Sequence, residues 1–205
     1  MENHVLQSRL TARVAVRVIA GLHKGRRLFS STGSNLRPTS GRVKEAIFSI
    51  LGPGIKGTHF LDLYAGTGAV GIEALSRGAR RVIFVESDPA SLRLLHANIR
   101  HCQLSTETYV HAGHAEEFFE QQHDSSITFD IVFADPPYLL DSAAGLLPSL
   151  ERSDMIRTNT IVLLEHPAKN RIPSQIGRLR RVRHYRYGDT SLSKFTISSP
   201  EIHPS

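Results

Sequence analysis

Asp135-Pro136-Pro137-Tyr138 closes the apolar run Ile127–Ala134, and a second acid-led element, Asp62-Leu63-Tyr64-Ala65-Gly66-Thr67-Gly68, begins 73 residues earlier. The later element has the parts of a clamp for a planar amine. An exocyclic amine on an aromatic ring is a poor nucleophile, because its lone pair is delocalised into the ring. Acceptors aimed at its two N–H protons draw that nitrogen towards tetrahedral geometry. The Asp135 carboxylate and the Pro136 main-chain carbonyl are such acceptors. The Pro-Pro pair removes two main-chain donors and stiffens the turn, and Tyr138 offers a face on which a base can stack. Read as plain structure, the tetrapeptide is only a strand stopped by prolines. Its place after a buried strand and downstream of a glycine loop favours the clamp.

The earlier element is a nucleotide loop. Gly66-Thr67-Gly68-Ala69-Val70-Gly71 matches G-x-G-x-x-G and is followed by the acid Glu86, which is also the fingerprint of dinucleotide binding. A strand-end acid at Glu86 would bind ribose hydroxyls in either case. Asp62 separates the two readings. A carboxylate placed before the loop suits the ammonium of a methionine moiety and offers nothing to a pyrophosphate. The downstream chemistry is an amine clamp, with no hydride-transfer apparatus. The two elements together point to an enzyme that methylates an exocyclic amine with S-adenosyl-L-methionine.

The elements that must hold these residues follow from periodicity. From residue 59 short β-rich runs alternate with helical patterns, which predicts a doubly wound α/β sheet. Strands are expected over Thr58–Tyr64, Arg81–Glu86, Thr106–Ala112, Ile127–Ala134 and Thr160–Glu165. Helices are expected over Ala69–Arg77, Pro89–His101, Ala115–Gln122 and Ser142–Leu150, the second with Asp88 as N-cap and Pro89 in its first turn. Leu179–Tyr187 and Ser191–Ser198, joined by Gly188-Asp189-Thr190, read as an antiparallel hairpin. The sum is a Rossmann-like methyltransferase sheet, mostly parallel and seven-stranded, ending in an antiparallel pair. Residues 55–205 form this core, residues 17–54 a small hairpin and an amphipathic helix carrying Val43, Ala46, Ile47, Ile50 and Leu51, and residues 1–16 an arm.

Charge is segregated. Residues 17–44 hold seven Lys/Arg and no acid, residues 169–186 hold seven more and no acid, and the remainder holds 11 bases against 19 acids. Two basic segments on an acidic core predict a polyanion-facing surface. The blander reading, basic strands that keep the domain soluble, does not require the signs to segregate. No stretch reaches the roughly 18 apolar residues of a membrane span, and residues 1–16 lack a signal-peptide core. The single Cys102 forbids an internal disulfide and fits a reducing cytoplasm. No cysteine cluster or H-x-x-x-H spacing predicts a metal, and the expected state is a monomer.

The chain resembles the bacterial 16S ribosomal RNA guanine-N2 methyltransferases over roughly residues 17–197. The resemblance is carried by Arg17-Val18-Ile19-Ala20-Gly21, Lys24-Gly25-Arg26, Arg37-Pro38-Thr39, Arg42-Val43-Lys44-Glu45-Ala46 and Phe60–Gly68. Asp135-Pro136-Pro137-Tyr138, Glu165-His166 and Tyr187-Gly188-Asp189-Thr190 complete it. It implies methylation of N2 of one guanine in 16S rRNA, within a small ribosomal subunit or an assembly intermediate. It also implies that Arg17, Lys24, Arg26, Arg37, Thr39 and Arg42 face the RNA or help form its pocket. The family's acid before Arg42 is replaced by Gly41, and its Asp-Ala contact to the cofactor adenine reads His114-Ala115. A neutral His can accept from the adenine amine as an Asp would. Because the clamp does not identify its base, an adenine-N6 methyltransferase of DNA or RNA stays open. So does a catalytically inert RNA-binding assembly factor, although such a protein has no need of Asp62, Glu86, Asp135 and Tyr138 together.

Overall fold

The computed structural model describes residues 16–30, 41–121, 127–137 and 142–197. Arg37, Thr39 and Tyr138 of the expected site, and the arm 1–15, lie outside the described residues. A two-stranded antiparallel sheet, β1 (Val16–Arg17) and β2 (Arg27–Leu28), comes first, then helix α1 (Gly41–Leu51) and a 3-10 turn over Gly52–Ile55. The core alternates β3 (His59–Leu63), α2 (Ala69–Ser76), β4 (Arg81–Glu86), α3 (Pro89–Cys102), β5 (Thr108–Ala112) and α4 (Ala115–Gln121). It continues through β6 (Phe129–Ala134), α5 (Ser142–Arg152), β7 (Ile156–Pro167), β8 (Gln175–Ile176), β9 (Leu179–Tyr187) and β10 (Thr190–Ile197).

The eight strands lie in the order β5-β4-β3-β6-β7-β10-β9-β8. The first five positions pair in parallel, whereas β10 is antiparallel to both β7 and β9. The expected sheet is therefore present, with one strand more than expected. That strand, β8, pairs through only Gln175 and Ile176, too short to leave a sequence period.

Alternation along the strands sorts the core into two layers. Phe60, Phe84, Phe133, Leu163 and Leu192 face α1, α2 and α3. Leu63, Val85, Ala134, Leu164 and Phe195 face α4 and α5. Helix α1 buries Val43, Ala46, Ile47 and Leu51 of the expected stripe; Ile50 is only half-buried, and Phe48 and Lys44 are buried beside the stripe instead. Helix α3 starts as expected: the Asp88 carboxylate accepts from Ser91 N at 2.7 Å, with Pro89 following.

Candidate functional site

Strand order reverses between β3 and β6: from β3 the chain runs outward through β4 and β5, then returns to the other side at β6. Open α/β sheets bind ligands in the crevice at that reversal, at the carboxyl ends of the strands. The expected residues meet there. Leu63 pairs with Ala134, so the loop after β3 and the turn carrying Asp135 leave the sheet side by side, and Asp135 N reaches Leu63 O at 3.5 Å. Asp62, Glu86 and Asp135 all follow the phenylalanines of the α1–α3 face by strand alternation, so the three acids line one side of the crevice.

The loop is shaped for a ligand on one side and for packing on the other. A Cβ on Gly66, whose φ is +55°, would meet nothing within 4 Å, whereas one on Gly71 would lie 2.3 Å from Phe84 Cε1. The Gly71 position lets α2 press onto the sheet; the Gly66 position leaves its backbone open to a bound group. Gly68 occupies the N-cap of α2 and brings no side chain to cap it. Asp62 does so from β3 instead: its Oδ2 accepts from Gly71 N at 2.8 Å.

Asp62 is 1% exposed. Burial pushes its carboxyl well above the usual range; the Gly71 amide opposes this, and the charges of Asp135 and Glu86 add to it. A cation arriving in the crevice is thereby favoured. Glu86 holds the loop with both oxygens, Oε2 accepting from Gly66 N and Oε1 from Asp88 N, each at 2.7 Å. Lone pairs remain on both oxygens for hydroxyl donors. The donor set, an anionic recess below an open glycine and a fixed carboxylate beside it, fits an ammonium at one end of the ligand and a ribose at the other. His114 is exposed and caps α4 through its carbonyl, which accepts from Phe118 N at 3.1 Å. Ala115 is buried behind it.

Three residues whose roles sequence reasoning missed fasten the N-terminal hairpin to this loop and to the helices α1 and α2 beside it. Asn98, fully buried on α3, accepts from Phe29 N at 2.7 Å and donates to Phe29 O at 3.0 Å and to Thr67 O at 2.9 Å. One amide thus grips both the hairpin and the glycine loop. Glu73, also fully buried, accepts from Ile19 N and Ala20 N at 2.7 and 2.9 Å. It pairs with Lys44 Nζ at 3.2 Å and Arg77 Nε at 2.9 Å. Lys44, counted by sequence within a polyanion-facing segment, is 1% exposed and belongs to this internal network. Its signal was a Lys flanked by apolar residues at helical spacing.

On the far side of Asp135, β7 carries Glu165 and His166 just before its last residue, exposed by 3% and 2%. The His166 Nδ1 lies 3.0 Å from Pro167 O. A carbonyl only accepts, so Nδ1 carries the proton and Nε2 accepts from Ser193 Oγ at 3.0 Å. Burial lowers the pKa of this imidazole, in keeping with the neutral ring. The Ser193 hydroxyl in turn accepts from His184 Nδ1 at 3.2 Å. This chain braces the Pro167 turn, where Ala168 N donates to Asp189 O at 2.8 Å, so the two C-terminal motifs form one wall.

The basic residues divide. Arg42 in the first turn of α1 and Arg17 on β1 are exposed. Arg180, Arg183 and Arg186 are exposed along β9, which leads to the crevice end of the sheet at Tyr187. Lys24 and Arg26 are not beside the crevice. Arg26 donates to His101 O at 2.9 Å, in the last turn of α3, while the crevice is near the first; 14 residues of helix separate the two by about 20 Å. No group of His, Cys, Asp and Glu able to hold a metal occurs among the described residues. No helix among them is long and apolar enough to cross a membrane.

A family profile described as "Conserved hypothetical protein 95" matches residues 16–196. The chain belongs to this family. The ribosomal RNA small subunit methyltransferase D of Haemophilus influenzae is 36% identical over 75% of this chain and 80% of its own length. Among solved structures, a hypothetical protein of Thermus thermophilus superposes with a TM-score of 0.75 at 30% identity, over 87% of this chain and 97% of that one. The Conserved hypothetical protein 95 fold is also that of an RNA methyltransferase from Salinibacter ruber in complex with S-adenosyl-L-homocysteine. There the TM-score is 0.61 at 17% identity, over 82% of this chain and 100% of that one.

Proposed function

We propose that this protein transfers a methyl group from S-adenosyl-L-methionine to the exocyclic N2 of a guanine in 16S rRNA, acting on small-subunit particles. The observation that carries the reading is the meeting of Asp62, Glu86 and Asp135 at the switch point between β3 and β6. Membership of a family that includes small-subunit rRNA methyltransferase D supports the substrate class.

S-adenosyl-L-methionine supplies an electrophilic methyl group on a sulfonium. Asp62 holds the amino-acid ammonium, Glu86 the ribose hydroxyls, and the open side of Gly66 admits the ligand against the backbone. His114 and Ala115 border the adenine. Asp135 and the Pro136 carbonyl accept the two N–H protons of the target amine and aim its lone pair. Pro136 is buried and Pro137 exposed, so the turn is anchored on one side while the other faces an incoming base. Tyr138 stacks on that base, which must be unpaired or flipped out to reach it. Positioning supplies most of the acceleration.

The test is methyl transfer from labelled donor to small subunits lacking base modifications, followed by nucleoside analysis. N2-methylguanosine in 16S rRNA is expected. N6-methyladenosine would keep the clamp and overturn the base assignment; absence of transfer would overturn the reading.

A further inference from the structure

The sheet has a second basic pole, at the amino ends of the strands and opposite the crevice. Several contacts assemble it. The hairpin tip docks on the end of α2, with Leu22 N donating to Ser76 O at 2.8 Å. A Cβ on Gly21, at φ +83°, would sit 1.7 Å from that same oxygen, so only glycine permits the approach. Gly57 N donates to Gly78 O at 2.7 Å and Arg80 N to Thr58 O at 2.8 Å, which sets Lys56, Arg80 and Arg81 side by side. Arg26, bonded to the end of α3, brings Lys24 and Arg100 to the same end.

All of these cations except the half-buried Arg26 are exposed. The described acids at this end are Glu107, Glu120, Asp130, Glu151 and Asp154; Glu120 and Glu151 lie at the ends of α4 and α5 on the other face of the sheet, and Glu151 pairs with Arg178 at 3.3 Å. Asp130 is committed to His59 N at 2.8 Å, and Asp154 lies beyond it, before β7. Leu22 stands 87% exposed among the cations. From Arg81 to Glu86 along β4 the separation is about 17 Å, several nucleotides of RNA.

We infer that Lys24, Lys56, Arg80, Arg81 and Arg100 form a second RNA-backbone surface, which grips a segment of the substrate distant from the methylated base. It rests on the proposed RNA substrate. It also accounts for Lys24 lying away from the crevice, on a hairpin that Arg26 fastens to the end of α3. A rigid domain touching phosphates at two poles reads the shape of folded RNA as well as one nucleotide.

The experiment compares the wild-type protein with the triple variant Lys56→Ala/Arg80→Ala/Arg81→Ala. Binding to protein-free 16S rRNA and to small subunits is measured across a salt series, with donor affinity and saturated turnover alongside. The negative slope of log K against log salt is expected to become shallower by about 2–3 for both substrates, close to one for each phosphate no longer neutralised. Donor affinity and saturated turnover should not move. An unchanged slope overturns the inference. A weakening seen on particles but not on protein-free RNA also overturns it, since that outcome identifies an acidic ribosomal protein as the partner. If the wild-type protein binds neither substrate, the proposed function itself fails.

Discussion

The carboxylate of Asp62 caps helix α2 from a neighbouring strand, accepting from Gly71 N at 2.8 Å in a site where it is 1% exposed. The cap needs only an oxygen; the charge is an expense to the fold. Burial raises the Asp62 pKa well above 3.8, and Asp135 and Glu86 push the same way. Above that raised value the folded state holds an ionised carboxylate that the unfolded chain hydrates better. Asp62→Asn keeps an acceptor for Gly71 and removes the charge. Its melting temperature at pH 8 is expected to rise by about 2–4 °C, for a gain of about 1 kcal/mol. The gain shrinks as pH falls through the raised pKa towards 3.8, because Asp62 then protonates unaided. Affinity for S-adenosyl-L-methionine should drop about tenfold or more. Melting curves and calorimetry across pH decide this, and a variant no more stable than wild type at any pH refutes it.

Asp135→Ala removes an acceptor from the proposed clamp while leaving the glycine loop in place. Turnover is expected to fall by about 10²–10⁴, with donor affinity within a few-fold of wild type. Single-turnover kinetics and equilibrium binding separate the two quantities. Full activity would remove Asp135 from the chemistry.

Much of this site was legible because its residues sit at or near strand ends, where a nearly continuous apolar run of a buried parallel strand stops at a charged or glycine residue. Asp62, Glu86 and Asp135 announce themselves in that way, and their meeting follows from parallel order alone. Other features had weaker signatures. Arg157, Thr158 and Asn159 look like a loop, yet they lie within β7, because Thr160 Oγ1 donates to Phe129 O at 2.6 Å and receives Arg157 N at 2.9 Å, which carries the strand past an irregular register. Asn98 and Glu73 are polar residues inside helices, a pattern that usually marks a solvated face. Only their adjacency to Leu95, Ile99, Ile72 and Ala74 hinted at burial. The remoteness of Lys24 and Arg26 depends on where a turn of the hairpin docks, which no local pattern encodes.

Asn98→Ala tests whether the clasp on Thr67 O and Phe29 positions the loop. The variant leaves two part-buried carbonyls, Phe29 O and Thr67 O, and the Phe29 amide without this partner, at about 1–3 kcal/mol for each group that water does not reach. Donor affinity is expected to fall by about tenfold or more while saturated turnover stays near wild type. A loss in turnover with unchanged affinity would reject the positioning role.

Glu73→Gln strands Lys44, which is 1% exposed, without its countercharge. Breaking such a pair costs about 3–5 kcal/mol. Burial already lowers the Lys44 pKa, so the deficit should lessen as pH rises and the amine sheds its proton. Lys44→Met in the Glu73→Gln background should recover part of the loss. Denaturant titrations at pH 7 and 9 measure both effects, and an equal deficit at the two values would exclude a charged Lys44 as its cause.

Strand β10 lies between β7 and β9, although it follows both in the chain. The sheet therefore cannot grow outward in the order of its residues. Until β10 docks, the outer side of β7 is bare along Ile161–Pro167, and an unpaired apolar strand is a template for the wrong partner. The β9–β10 hairpin closes locally around Gly188, an event of about 1–10 μs, and is placed to arrive as a preformed piece. Refolding thus has one identifiable moment of vulnerability to aggregation. Amide exchange along the outer side of β7 is the clock that would time it.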